Sequence, residues 1–486
     1  MEMNLSAQDY ERKLFYALLA LLLWLPLPFA SNQVWAEAIF EISVTLIASL
    51  WVLGWKQKRL EQGAVFAAAK PLLWLLAIWC AYLAFMLFPI PLSLHLLLSP
   101  ESAAQYRLAG VDGWSPLSVD PYSGFLYWLK SVANGLLFVL VLLLVNSKQR
   151  LVVLAFTLVL SGLFQAFYGS MMTLSGMEYG FFLKKEAYVG FATGTFVNRN
   201  HLAGYLEMTL AVGIGLLLAS WTSNEKIRTW RQRVRSLVTL LLSTKLLLRL
   251  MLAIMVIALV LTRSRMGNTA FFASMMIAGL LSLIIFRAQT GSVREMFAKR
   301  ETRSTVILLT SLMVIDLFIV GTWFGVEKVV ARIEQSSVSH DADRIEVSRS
   351  TLNLLKDYPI VGSGGGSFHA AYSRYRPETV VSYYDHAHED YLEFAAETGL
   401  VGLGLLGMTV LMSLWAALTA LYRRRDPLMR GMAFASVMGT IALLIHSTVD
   451  FNLQIPSNAA MFMVILALGW IALYLDRQPG NRAGSN

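Results

Sequence analysis

The sequence predicts an all-α, polytopic membrane protein of about twelve spans with a large extracytoplasmic loop, and three observations predict it. Of 486 residues, 56% are hydrophobic and only 15% charged, with a mean hydropathy of +0.57, whereas soluble chains carry about 25% charge. Apolar runs of roughly 20 residues, long enough to cross a hydrocarbon core, recur along the chain. The basic residues fall in alternate loops.

The runs lie at about 14–31, 34–54, 71–90, 125–146, 151–173, 201–221, 247–263, 267–286, 305–324, 396–421, 430–449 and 457–475. The first has the positive flank of a signal peptide without a small-residue cleavage site, so it reads as a retained helix. With a cytoplasmic N-terminus, every short inside loop is basic, for example Lys56–Arg59, Lys148–Arg150 and Arg423–Arg425. The positive-inside rule then places both termini in the cytoplasm. The net charge of +9 belongs against anionic headgroups and requires no nucleic acid. The single cysteine, Cys80, excludes an internal disulfide and a thiolate metal site.

Three long segments remain outside, about 91–124, 174–200 and 325–395. The last is too long for a plain connection, and such loops usually carry function. Polar clusters stand where these segments meet helices. Arg199, with Asn200 and His201 beside it, sits at a helix start, where free backbone N–H groups and the dipole suit an anion such as phosphate. Anchoring at the headgroups is the other reading.

Arg263 and Arg265 share an outer turn, where cations are disfavoured; they hold a pyrophosphate or snorkel to lipid phosphates. In the long segment, Asp343-Arg344 precedes a run of glycines at 362–366, read as a flexible connection because no P-loop Lys-Ser/Thr follows. Then comes Asp385-His386-Ala387-His388-Glu389-Asp390-Tyr391. His388 suits proton removal from a sugar hydroxyl, with Asp385, Glu389 and Asp390 able to orient it. Solvated loop histidines are the plainer alternative. A metal reading of His-x-His-x-Asp is weak, because tyrosine stands where a final histidine would be needed.

Together, Phe196–Gly204 around Arg199, Ser264–Gly267, the approach from Arg344 to Gly364, and His386–Gly402 resemble the O-antigen ligase/polymerase superfamily. The resemblance covers roughly residues 190–410. It divides the chain into N-terminal transmembrane helices (1–190), a catalytic region (190–410) including loop 325–395, C-terminal helices (411–475) and a polar cytoplasmic tail (476–486).

The resemblance implies a GT-C-like, metal-independent, inverting glycosyltransferase without cofactor. Its donor would be a glycan on a polyprenyl (undecaprenyl) diphosphate, and its acceptor a lipid A–core sugar or a lipid-linked repeat. His388 would activate the acceptor hydroxyl, and Arg199 and Arg265 would hold the diphosphate. Arg263, Arg344, Asn200, His201, His386 and Asp390 would add contacts to diphosphate or glycan. Many relatives carry asparagine or serine where this chain has Glu389. The implied setting is a bacterial inner membrane, with a periplasmic active site serving lipopolysaccharide or another surface polysaccharide. A protein O-oligosaccharyltransferase and a lipid-linked oligosaccharide flippase are the alternatives. The flippase would favour matched halves with ionisable residues at the midplane; Glu37, Glu41, Lys130, Glu207 and Asp316 lie in or near spans, and no matched halves are visible.

Overall fold

The computed structural model describes residues 7–220, 244–290, 310, 338–380 and 383–476. These residues are helical apart from loops and one two-residue hairpin, β1 (Tyr179–Gly180) with β2 (Leu183–Lys184). Among them, nine helices are long and apolar enough to cross a membrane. They are α2 (Val34–Lys56), α4 (Lys70–Leu87), α7 (Pro121–Leu144), α8 (Lys148–Ser175), α9 (Arg199–Ala219), α11 (Arg265–Thr290), α14 (Asp390–Arg423), α15 (Pro427–His446) and α16 (Pro456–Tyr474). The expected spans 14–31 and 247–263 correspond to the apolar helices α1 (Ala7–Trp24) and α10 (Thr244–Leu261). Of the expected span 305–324, only residue 310 lies within the described residues.

The connecting segments hold short helices: α3 (Ala64–Ala68), α5 (Leu92–Leu98), α6 (Pro100–Leu108), α12 (Val338–Asp357) and α13 (Phe368–Tyr372). The segment expected as a long loop is thus largely helical over its described part.

Burial ranks the spans. In α9, α16 and α15, 89%, 83% and 72% of the spanning window is enclosed, against 28% in α2, α4 and α14. The first three form the centre, and the others present side chains to lipid. Small residues permit the central crossing, because Gly215 of α9 lies against the Gly431 carbonyl of α15 and any Cβ there would collide with backbone. Asp120, Ser147, Asn198 and Asp426 cap α7, α8, α9 and α15 by accepting first-turn N–H groups, each interaction contributing about 1 kcal/mol.

The helix ends sort into two faces. At one, Lys148 pairs with Asp426 at 2.7 Å and Arg150 with Glu11 at 3.2 Å. At the other, the Thr195 hydroxyl donates to the Pro26 carbonyl, and the Ala192 N–H to that of Leu261. All the sequence-nominated polar motifs belong to the second face.

The glycine run 362–366 is not a flexible connection. Gly362 abuts the Glu397 backbone, Gly364 abuts Ser118 and Gly365 abuts the Tyr127 ring. Gly362, Gly364 and Gly366 all have positive φ. Side chains are excluded there both by space and by backbone conformation. Packed against this run is a break in α14 at Gly399 (φ 65°). The amides freed there donate to the Pro359 and Ile360 carbonyls, and Tyr82 donates its hydroxyl to the carbonyls of Val361 and Thr398. Non-helical backbone beside a bilayer needs such partners.

Candidate active site

Phe451, in the short connection between α15 and α16, organises the site. Its ring stacks on His386 at 4.4 Å between centroids, and it meets His201 at 4.6 Å and His388 at 4.7 Å edge-on. Three imidazoles from two distant segments therefore share one aromatic ring.

His386 and His388 are set by the turn before α14. Glu393, in the first turn of that helix, accepts from His386 Nδ1 at 2.6 Å and from the Ala387 N–H at 2.7 Å. This clamp leaves His388 in a left-handed conformation (φ 56°), which is costly for a residue with a Cβ and needs surrounding support. The His388 ring lies between Phe451 and Tyr384, the latter at 5.5 Å. Its Nδ1 is buried without a hydrogen-bond partner.

The two rings titrate in opposite directions. Burial, with the Arg344 charge next in weight, lowers the His388 pKa to about 4, while Asp450 works the other way. Burial also opposes charge on His386, but the Glu393 carboxylate and its hydrogen bond overcome it and raise the pKa to about 9. At neutral pH His388 is a free base and His386 a cation. Activity that needs both states should be level across neutrality, fall as pH drops through about 4 and fall again above about 9. A pH profile of kcat/KM checks this, and a single acid limb near 6.5 would contradict it.

Of the carboxylates expected to orient His388, Asp390 is engaged elsewhere. Asp390 is 1% exposed; it accepts from the Ser447 hydroxyl at 2.6 Å and the Leu453 N–H at 3.1 Å. It fastens α14 to the Phe451 connection, and its burial removes it from glycan contact. The acidic neighbour that His388 feels most is Asp450, which the sequence reading did not nominate. Asp450 lies 3.6 Å from His201 Nε2 and has its pKa depressed; burial opposes that, but His201 and the other imidazoles prevail. His201 is itself only 6% exposed, so it supports this loop rather than reaching outward. Asn200 is half-buried, and its N–H is capped by Asn198.

The arginines form the other half. Arg199 lies over the Phe191 ring at 4.3 Å and near Tyr188 at 5.9 Å, and Arg263 approaches the same Phe191 ring at 5.4 Å. The Arg199 charge interacts with those of Arg344, Arg265 and Arg263. Arg199 and Arg344 are half-buried, while Arg263 and Arg265 are exposed. Arg199 Nε is buried without a partner. Arg265 opens α11, whose start is capped by Ser264 accepting from the Gly267 N–H at 3.1 Å.

Guanidinium groups gathered in this way repel one another, and a bound anion would offset that repulsion. Arg344 connects the halves, since its charge acts on both Arg199 and His388. Among the described residues, no three His, Cys, Asp or Glu side chains are grouped to hold a metal. The arrangement can bind a diphosphate and, beside it, accept a proton.

Residues 250–407, about a third of the chain, match the family model described as O-antigen ligase. No curated protein matches the chain.

Proposed function

We propose that this member of the O-antigen ligase/polymerase superfamily, a membrane glycosyltransferase of that type, moves a glycan from a polyprenyl diphosphate to an acceptor hydroxyl at the face bearing its arginines. The observation that carries the reading is the meeting of His388 and His201 on the Phe451 ring, because His201 shares the first turn of α9 with Arg199, which in turn shares the Phe191 ring with Arg263. In this reading Arg199, Arg265, Arg344 and Arg263 hold the diphosphate, and His388 takes the acceptor proton.

Cleaving a glycosyl–diphosphate bond develops negative charge on the leaving oxygen. Fixed guanidinium groups stabilise that charge more in the transition state than in the ground state. A diphosphate leaves without a general acid, so the one required proton transfer is from the acceptor hydroxyl. Attack from the face opposite the diphosphate inverts the anomeric carbon, and neither step requires a metal.

After burial, the Arg344 charge is what most holds the base down. A diphosphate beside Arg344 offsets the field that lowers the His388 pKa, so the imidazole becomes a stronger base once the donor is bound.

The arginine-bearing face is opposite the basic loops, which supports a periplasmic site and cytoplasmic termini in a bacterial inner membrane. Lipid-linked acceptors, as in a ligase or a polymerase, are the reading we adopt over protein hydroxyls. The test uses purified protein, a labelled polyprenyl diphosphate-linked glycan and separate acceptors, with chelator present. Transfer surviving the chelator is expected. Wild-type protein that transfers to no acceptor while moving the donor across vesicles would instead establish a flippase.

A further inference from the structure

A cavity of about 130 Å³ lies between α4, α7, α14 and α16, directly beneath the Leu453–Gln454 end of the Phe451 connection. Its walls are membrane-level apolar groups, among them Trp79, Phe394 and Phe462. Polar residues interrupt them, and two of these carry buried atoms without a partner. Gln454 is 5% exposed and its Nε2 is buried without a hydrogen-bond partner; Asn134 Oδ1 is likewise unpartnered. Lys130, which pairs with Glu37 at 2.8 Å, lines the same space.

A buried amide donor left unmade costs about 1–3 kcal/mol, so a ligand oxygen at this point is strongly favoured. The volume resembles the ~150 Å³ cavities that hold a six-carbon ring. It therefore takes a segment of chain and leaves the remainder in the bilayer.

We propose that this cavity binds the acyl chain of a membrane lipid, with the chain's carbonyl oxygen accepting from Gln454 Nε2. An isoprenoid chain fits the apolar walls, but its only oxygens belong to a charged phosphate end, which apolar walls disfavour. An acyl chain brings a carbonyl at its polar end, and an amide-linked one also brings an N–H for Asn134. Two sources share this chemistry, a phospholipid of the surrounding leaflet and an acylated glycolipid. The site stands on its own geometry and does not depend on the glycan-transfer reading.

The full-length protein, extracted from membranes and washed in detergent, is examined by native mass spectrometry. Wild type should retain one acyl lipid. Gly135→Phe should retain none, because Gly135 lines this cavity and a Cβ there meets no atom within 4 Å, which leaves room for the ring to fill the space. Gln454→Leu keeps the volume but removes the donor, and retention should weaken about tenfold, the loss of one hydrogen bond of about 1.4 kcal/mol.

Adding phosphatidylethanolamine, an acylated glycolipid or polyprenyl phosphate to delipidated protein identifies the source. Rebinding of either acyl lipid supports the proposal. Rebinding of polyprenyl phosphate alone overturns it, as does lipid retention unchanged in Gly135→Phe. So does a Gln454→Leu variant that melts at a higher temperature with unaltered retention, the behaviour of an empty cavity relieved of a buried amide.

Discussion

Replacing His388 with alanine should lower glycan transfer roughly 10²–10⁴-fold, the range that positioned proton removal supplies. The ring touches Phe451 and Tyr384 and has no hydrogen-bond partner at Nδ1, so its loss removes a base without breaking a polar network. Binding of a labelled polyprenyl diphosphate should stay within about twofold of wild type, because the arginines are untouched. A rate within tenfold of wild type would show that another group takes the proton. On the proposed coupling through Arg344, adding inorganic pyrophosphate should raise the His388 pKa toward neutrality, which histidine NMR reads directly. A fall or no change would refute it.

The second large effect is at Arg199. Arg199→Ala should cost about 10²–10³-fold in kcat, comparable to removing one donor from an oxyanion site, and Arg199→Lys should recover little of it. Lysine lacks the planar fork that stacks on Phe191 and presents two parallel donors. Arg263→Ala should be milder, since that side chain is exposed and lies farther from the same ring. Steady-state kinetics of the three variants give the comparison. Equal losses at Arg199 and Arg263 would mean that the cluster acts only through its summed charge.

Much of this was legible in the sequence because membrane proteins advertise their helices. Apolar runs of spanning length located α2, α4, α7, α8, α9, α11, α14, α15 and α16 to within a few residues at most ends, and Arg199, Arg265 and His388 stood out as polar groups at helix ends. Their tertiary partners were not visible.

Glu393 reads as an ordinary polar position in an apolar helix, yet it clamps the turn that carries His386. Asp450 and Phe451 lie in a connection too short to attract notice. A density of His446, Asp450, Asn452 and Gln454 between two apolar runs was the signal that could have found them. The glycines at 362–366 misled for a physical reason. Glycine serves both loose linkers and the tightest contacts, and only the presence of Tyr127, Ser118 and Glu397 against them separates the two.

Phe451 has a consequence beyond holding rings in place. It carries no exchangeable proton, and it lies against His201, His386 and His388 through carbon. It works as an insulator between conductors. The ring offers no hydrogen-bonded path from His386 to His388, and the two imidazoles hold different protonation states because Glu393 supports charge on one while burial opposes it on the other.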